Sequence, residues 1–522
     1  MAMINPIDEA SSISKRVGLT TIASYVVVIL LPVLLSVLLL ALQTQSTHAD
    51  LVPHWSDEVY YWQQISAFRA VGFENGYFTV NEQIAPASFS HYYAWGFPIP
   101  LLYAALSAIT GWSLASMPLY NLAILSVGIA IYLYCVKPKG RMLFSFALVV
   151  STSLAFIMYH FTSMVTVMEL GIALGLAGGL YRLLLRPTKQ TAIILIVIIT
   201  GLSLLKVTWA LLSLPILLLV LQRKTPLRVF VVTVVAIVYV LVLYIFYSWL
   251  CAPYPAPFNV VFSEFQKSFS QGVNAYVNYV GRNFFLLSQG TGVELIQRVE
   301  LALLSIGLVM ASIVTNRQLR RMRASSTKQE TILTLQTLTL ALYLIVSIMA
   351  ITIVVYEITE WREFRVTAPI LMLVLALLVA IRQYRIIFTV IGFALLTMPF
   401  TLQESYAKAA QWVNPNQKEA VATWQESLGQ VITYNEAATS PWCNTVYHSL
   451  TYFAYPEVLL AFESGVGLSF QILDPDTLAL QSRWLLVDNA FVAKYDNYLS
   501  VERLVEMPNG ALYRNLDANC GG

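Results

Sequence analysis

The sequence predicts an α-helical polytopic membrane protein of about 11 transmembrane helices, followed by a small C-terminal extracytoplasmic α/β domain. Three observations predict it. Of the 522 residues 58% are hydrophobic and 11% charged, against roughly 25% charged in a soluble domain. The apolar residues gather in runs near the roughly 20 that a helix needs to cross a bilayer. After residue 402 those runs cease and charged residues return. Soluble globular, disordered and fibrous chains are excluded by the same composition. A net charge of +3 makes no case for nucleic acid as a partner. Four cysteines, with no CxxC and no Cys/His zinc spacing, exclude a disulfide-dense scaffold.

The apolar runs fall at 18–42, 116–136, 142–161, 167–185, 190–205, 207–222, 229–250, 295–314, 331–356, 366–381 and 386–402. The first follows Lys15 and Arg16 and has no small-residue cleavage site, the pattern of an anchored helix. Lys206 is the lone charge within 190–222, so two short spans are expected to turn there. Segment 97–110 is apolar but short, with Pro98 and Pro100 at its start. With 97–110 left uncrossed, the basic clusters Lys137–Arg141, Arg182–Lys189, Arg223–Arg228 and Arg317–Arg323 all share the amino-terminal side. Were it to cross, Arg317–Arg323 and every later basic loop would face outside. The positive-inside rule therefore makes 97–110 re-entrant or interfacial. The expected protein is multi-pass in the plasma (inner) membrane, with a cytoplasmic amino terminus and residues 403–522 outside. Residues 1–402 then form the transmembrane domain.

That topology puts a long first loop (43–115), the Pro/aromatic loop 251–294, the charged turn 357–365 and the tail on one face. All five histidines and, counting Trp209, all eleven tryptophans fall there too. An ordinary aromatic belt marks both interfaces, so the asymmetry points to an aromatic-lined cavity on the outer face. In the tail, Glu506-Met507-Pro508-Asn509-Gly510-Ala511-Leu512-Tyr513 reads as a hairpin. Asp474-Pro475-Asp476-Thr477 reads as a helix start or a turn. Cys443 and Cys520 are either two free thiols or a bond closing about 78 residues, which would contribute roughly 4–5 kcal/mol by chain entropy. Cys135 and Cys251 lie in or beside spans and read as core.

The first loop carries His54-Trp55-Ser56-Asp57-Glu58-Val59-Tyr60-Tyr61-Trp62. Adjacent acids hemmed by aromatics just beyond a membrane helix can supply a general base or ligate a hard divalent cation such as Mg or Mn. They can also simply open a helix, with Ser56 as its cap. Glu169, near the outer start of the fourth span, is an ionisable group at a costly depth. Lys206 is either a snorkelling lysine or a cation for a lipid phosphate. Arg362 and Arg365 present planar forks suited to phosphate oxygens, or pair with the acids around them. His91, Tyr92, Tyr93 and Trp95 can line a sugar site or anchor 97–110 in the interface.

At these residues the sequence resembles the C-type (GT-C) superfamily of polytopic, lipid-phosphate-sugar-dependent glycosyltransferases, nearest in style to the protein O-mannosyltransferase and aminoarabinose-transferase branches. The likeness covers most of residues 20–380. It rests on Asp57-Glu58 soon after span one, on Tyr92–Pro98 leading to Gly111, and on Glu169 as a second-loop acid. It rests also on Gly201-Leu202-Ser203-Leu204-Leu205-Lys206 and on Arg362 and Arg365 before Pro369. The chain lacks the Lys-Pro-Pro of the aminoarabinose branch, and Phe364 precedes the arginine where that region usually has Arg-Tyr. The resemblance implies transfer of a sugar from a polyprenyl-phosphate donor to a glycan, lipid or protein acceptor. Asp57 would be the base or, sharing it with Glu169, a metal ligand; Glu58 is the adjoining acid. Lys206, Arg362 and Arg365 would hold the leaving phosphate, with His54, His91, Tyr92 and Tyr93 on substrate. A transporter or lipid flippase is the rival, and would require broken helices with midplane charges and two similar halves.

Overall fold

The computed structural model describes residues 19–87, 89, 91–221, 225–254, 257–289, 292–322, 326–354, 364–472, 480–495, 497 and 499–520. Arg362 and the segment Asp474–Thr477 lie outside the described residues. Among those described, seven helices are long and apolar enough to cross a membrane: Thr20–Thr44, Ser116–Val136, Thr166–Leu185, Pro226–Leu250, Gly292–Arg321, Lys328–Val354 and the apolar part of Tyr384–Gly429. The chain is a multi-pass membrane protein. The four other apolar runs are helical but shorter. Run 142–161 is split into Arg141–Ser151 and Leu154–Tyr159, because the Ser153 hydroxyl accepts from Phe156 N and starts a new helix. Run 190–205 is the helix Lys189–Leu205, which ends where Lys206 turns extended (φ −155, ψ 112). A 3-10 segment Val207–Leu212 then leads into Ser213–Val220, and Phe364–Ala380 accounts for the last. Segment 97–110 forms the helix Pro98–Thr110, too short to span.

Thr166–Leu185 is the central helix and the most buried of the seven. It lies so close to Ser116–Val136 that a Cβ on Gly128 would sit 2.0 Å from the Gly171 carbonyl oxygen. Only glycine permits that approach, which lets the two backbones meet without side chains between them. The consequence for function is positional: Glu169, in the first turn of this helix, is fixed at one end of the bundle.

Contacts sort the two ends. At one end Tyr25 Oη donates to the Pro138 carbonyl, Arg182 to the Tyr134 carbonyl, and Arg141 lies over the Tyr384 ring. At the other, Ala87 N bonds Trp249 O, Ala252 N bonds Tyr92 O, and Ser163 N bonds Glu58. The first loop, the ends of several spans and the tail therefore meet on one side.

The extramembrane unit is built from both the first loop and the tail. Its six-stranded sheet runs β1-β3-β2-β4-β6-β5. Here β1 is Thr79–Val80, β2 Thr445–His448, β3 Gly467–Phe470, β4 Trp484–Asp488, β5 Val501–Met507 and β6 Gly510–Asn515. β1, from the first loop, pairs in parallel with β3. The β5–β6 hairpin turns at Pro508-Asn509, as the sequence predicts, with Asn509 at φ 61. Strand alternation divides the core into two faces. Val446, Trp484, Leu486 and Leu468 pack on Val59, Tyr60 and Ala67 of the helix Ser56–Val71, while Tyr447, Leu485 and Val487 pack on Phe491 and Tyr495. Cys443 and Cys520 form a disulfide across 77 residues, and Cys251 is buried and Cys135 half-buried as free thiols. The helix Tyr384–Trp412 runs unbroken past residue 402 and delivers Trp412 to the first loop.

Candidate active site

Two ion pairs organise the end of the bundle that meets the first loop. Lys206, half-buried at the extended turn that ends the Lys189–Leu205 helix, places Nζ 2.6 Å from Glu169 Oε2. The Glu169 side chain is only 6% exposed, so the lysine neutralises a charge that could not otherwise remain at that depth. Asp57, in the first turn of Ser56–Val71, accepts from Arg365 Nη1 at 2.9 Å. Arg365 comes from the start of Phe364–Ala380, 308 residues away.

A cavity of about 180 Å³ holds one half of this arrangement. Glu169, Lys206 and Arg365 line it together with Tyr61, Trp95 and Tyr247. A second cavity, of about 270 Å³, is lined by Ser56, Asp57, Tyr60 and Tyr93, with Tyr254 and the tail residues Phe453 and Phe470. Asp57 faces the second cavity and its partner Arg365 the first, so the ion pair stands between them. Burial first, and the Asp57 charge second, push the Tyr61 phenol well above its usual value; it stays a hydroxyl donor at the first cavity. Tyr93 is shifted upward by the same two causes in the same order. Tyr60 is fixed from behind by His448. Burial holds that imidazole neutral, pushed down to about 4. Its Nδ1 faces the Ser449 carbonyl at 3.0 Å and must carry the proton, leaving Nε2 to accept from Tyr60 Oη at 3.1 Å.

Glu58 sits beside Asp57 and does something different. It is fully buried and lines neither cavity. Its carboxylate accepts from His54 N, Trp55 N, Ser163 N and Trp412 Nε1. The two local bonds reach back over the helix start, so Trp55 occupies the cap position and Ser56 is the first helical residue. The two distant bonds tie the first loop to the 160–166 segment and to the last membrane helix. Burial, opposed by those four donors, leaves Glu58 pushed up to about 7.

His54 packs its ring on Trp412, 5.1 Å between centroids, and burial lowers its pKa. His91 bonds the Asn75 carbonyl and packs on Tyr77. Tyr92 shares a hydrogen bond with Asn75 and is buried. These three support the first loop from behind, whereas Tyr93 reaches a cavity wall. Asp57 and Glu169 each carry a cation partner, and among the described residues no three His, Cys, Asp or Glu side chains converge. No step below uses a divalent cation. Tyr61 has a signal in the sequence, since it lies one helical turn from Asp57 on the same face. Phe453 and Phe470 have none.

No family model matches the chain, and no curated protein matches it. Among solved structures, the crystal structure of ArnT from Cupriavidus metallidurans bound to undecaprenyl phosphate aligns over 95% of this chain and 99% of its own, at 12% identity and a TM-score of 0.42.

Proposed function

We propose that the chain moves a sugar from a polyprenyl-phosphate-linked donor to an acceptor hydroxyl on the outer face of the plasma membrane, with its amino terminus cytoplasmic. The observation that carries this reading is the Asp57–Arg365 pair, set between a cation-bearing cavity at the bundle end and an aromatic cavity beside β3. The order of Asp57-Glu58, Glu169, Lys206 and Arg365, which resembles that of GT-C enzymes, supports it.

A polyprenyl phosphate carries its charge where apolar helices give way to polar loops. Lys206 and Arg365 offer cations at that depth, and the arginine presents a planar fork of the shape that phosphate oxygens accept from. Tyr61 can donate to a further phosphate oxygen. The sugar then lies towards Asp57, and the acceptor enters from the second cavity over Tyr60 and Tyr93. Asp57 takes the acceptor's proton as its oxygen bonds the anomeric carbon. The bond from that carbon to the phosphate oxygen breaks, and its electron pair leaves on the lipid phosphate. Lys206 and Arg365 stabilise the charge that develops there, so no proton is needed by the leaving group. Direct displacement inverts the anomeric carbon. The acceptor is a glycan, a lipid or a protein hydroxyl.

The test is binding of undecaprenyl phosphate, read by quenching of tryptophan fluorescence in the purified protein. Arg365→Lys keeps the charge but loses the fork, and should weaken binding by roughly tenfold or more, the scale of one lost charge-assisted bond. Equal binding by the folded variant and its parent would move the phosphate site elsewhere.

A further inference from the structure

We propose that the small cavity beside Glu300, at the break between the helices Arg141–Ser151 and Leu154–Tyr159, is a binding site for a monovalent cation of sodium size. Glu300 lies eight residues into Gly292–Arg321, about 12 Å along the axis from its first residue. It is 5% exposed. Among the described residues no ion pair or hydrogen bond reaches its carboxylate. Arg298 points elsewhere: residues two apart do not share a helix face, and Arg298 pairs with Glu294. A carboxyl group inside a membrane bundle must hold a proton or a counter-cation.

The surroundings say what that partner is. Glu300 shares a cavity of about 30 Å³ with Thr152, Ser153 and Gln297, and the remaining walls are apolar. That volume holds one or two water-sized species. The helix break supplies oxygens. Thr152 N is spent on Leu148 O and Ser153 N on Val150 O, and the next helix starts only at Leu154. Among the described residues no backbone N–H then reaches the carbonyls of Ser151 and Thr152. Thr152 Oγ1 donates its proton to Leu148 O at 2.8 Å and keeps its lone pairs. Among the described residues Ser153 Oγ accepts from Phe156 N alone, at 3.4 Å. The site thus offers a carboxylate, hydroxyl oxygens and broken-helix carbonyls, all hard ligands for a hard cation.

Charge sets the valence. One carboxylate neutralises one positive charge, whereas a divalent ion would leave a net charge buried in the bundle. A cavity with room for only one or two water-sized species admits a bare ion and not a hydrated one, which favours a small cation. A bound ion would brace the start of Leu154–Tyr159, which leads on to Ser163 and its bond to Glu58.

The experiment is thermal unfolding of the full-length protein in detergent, in NaCl, KCl or choline chloride at equal ionic strength. The midpoint should rise saturably with NaCl, stay flat in choline chloride, and need more KCl than NaCl for the same shift. Glu300→Gln keeps the shape, removes the charge and should abolish the sodium response. Ser153→Ala should raise the half-saturating sodium concentration by roughly tenfold. Equal parental midpoints in the three salts would overturn the proposal. So would a sodium response left intact in Glu300→Gln or, if that variant does not fold, in Ser153→Ala.

Discussion

Lys206 and Glu169 each stand out in the sequence as an isolated charge in apolar surroundings, and the structure makes them partners 37 positions apart. The partnership changes what a substitution does. Lys206→Met removes a cation from the proposed phosphate site, but it also strands a nearly buried carboxylate. We expect the fold to lose about 3 kcal/mol, the scale for breaking a buried pair. Lys206→Met combined with Glu169→Leu should recover most of that stability without recovering polyprenyl-phosphate binding. Chemical denaturation and lipid binding on the same two proteins check both halves. The residue types at this site were legible because charges are conspicuous against lipid. Their pairings were not: Asp57 and Arg365 are 308 residues apart, and no local pattern encodes such a contact. Glu58 is the sharper case. Beside Asp57 in sequence it looks equivalent, yet its side chain leaves the helix in another direction and meets four donors.

The helix Ser56–Val71 is the element that Glu58 holds in place. Glu58→Gln keeps the volume but sets an amide NH₂ against N–H donors, so at least one buried donor loses its acceptor. The expected cost is about 1–3 kcal/mol, read as a lower unfolding midpoint. The pH dependence has a definite sign. Glu58 titrates near its ordinary 4.5 when unfolded and at about 7 when folded, with burial as the leading cause. A raised acid favours the folded state below the unfolded value, and that contribution is lost as pH rises through the folded one. Between pH 5 and 8 this group should therefore make stability decline with pH, and Glu58→Gln should flatten the decline. Elements with strong periodicity or turn chemistry were legible, among them the long spans and the Asn509-Gly510 hairpin. The break at Thr152–Ser153 was not, because two small hydroxyl residues in an apolar run fit an uninterrupted helix equally well.

Across the whole molecule, β1 joins the first loop to the tail, and the second cavity has walls from both. That the tail leaves the membrane was legible from the return of charge after residue 402, and its strands from the hairpin signal at Asn509-Gly510. A two-residue strand at Thr79–Val80 carries no alternation to read, so the shared sheet was not. If the shared face is outside, a cysteine placed near residue 415 should react with impermeant thiol reagents in intact cells and one near residue 325 should not. The opposite labelling would invert the topology. The most direct measurement of the proposed chemistry is single-turnover sugar transfer by Asp57→Asn, taken beside undecaprenyl-phosphate binding by the same protein. The substitution keeps shape and breaks only a partly exposed ion pair, costing about 1 kcal/mol or less in stability. Binding should persist while transfer falls by roughly two to four decades, the scale of a lost general base. A folded Asp57→Asn protein that transfers sugar at the parental rate would contradict the assignment of Asp57 and, with it, of the two cavities it separates.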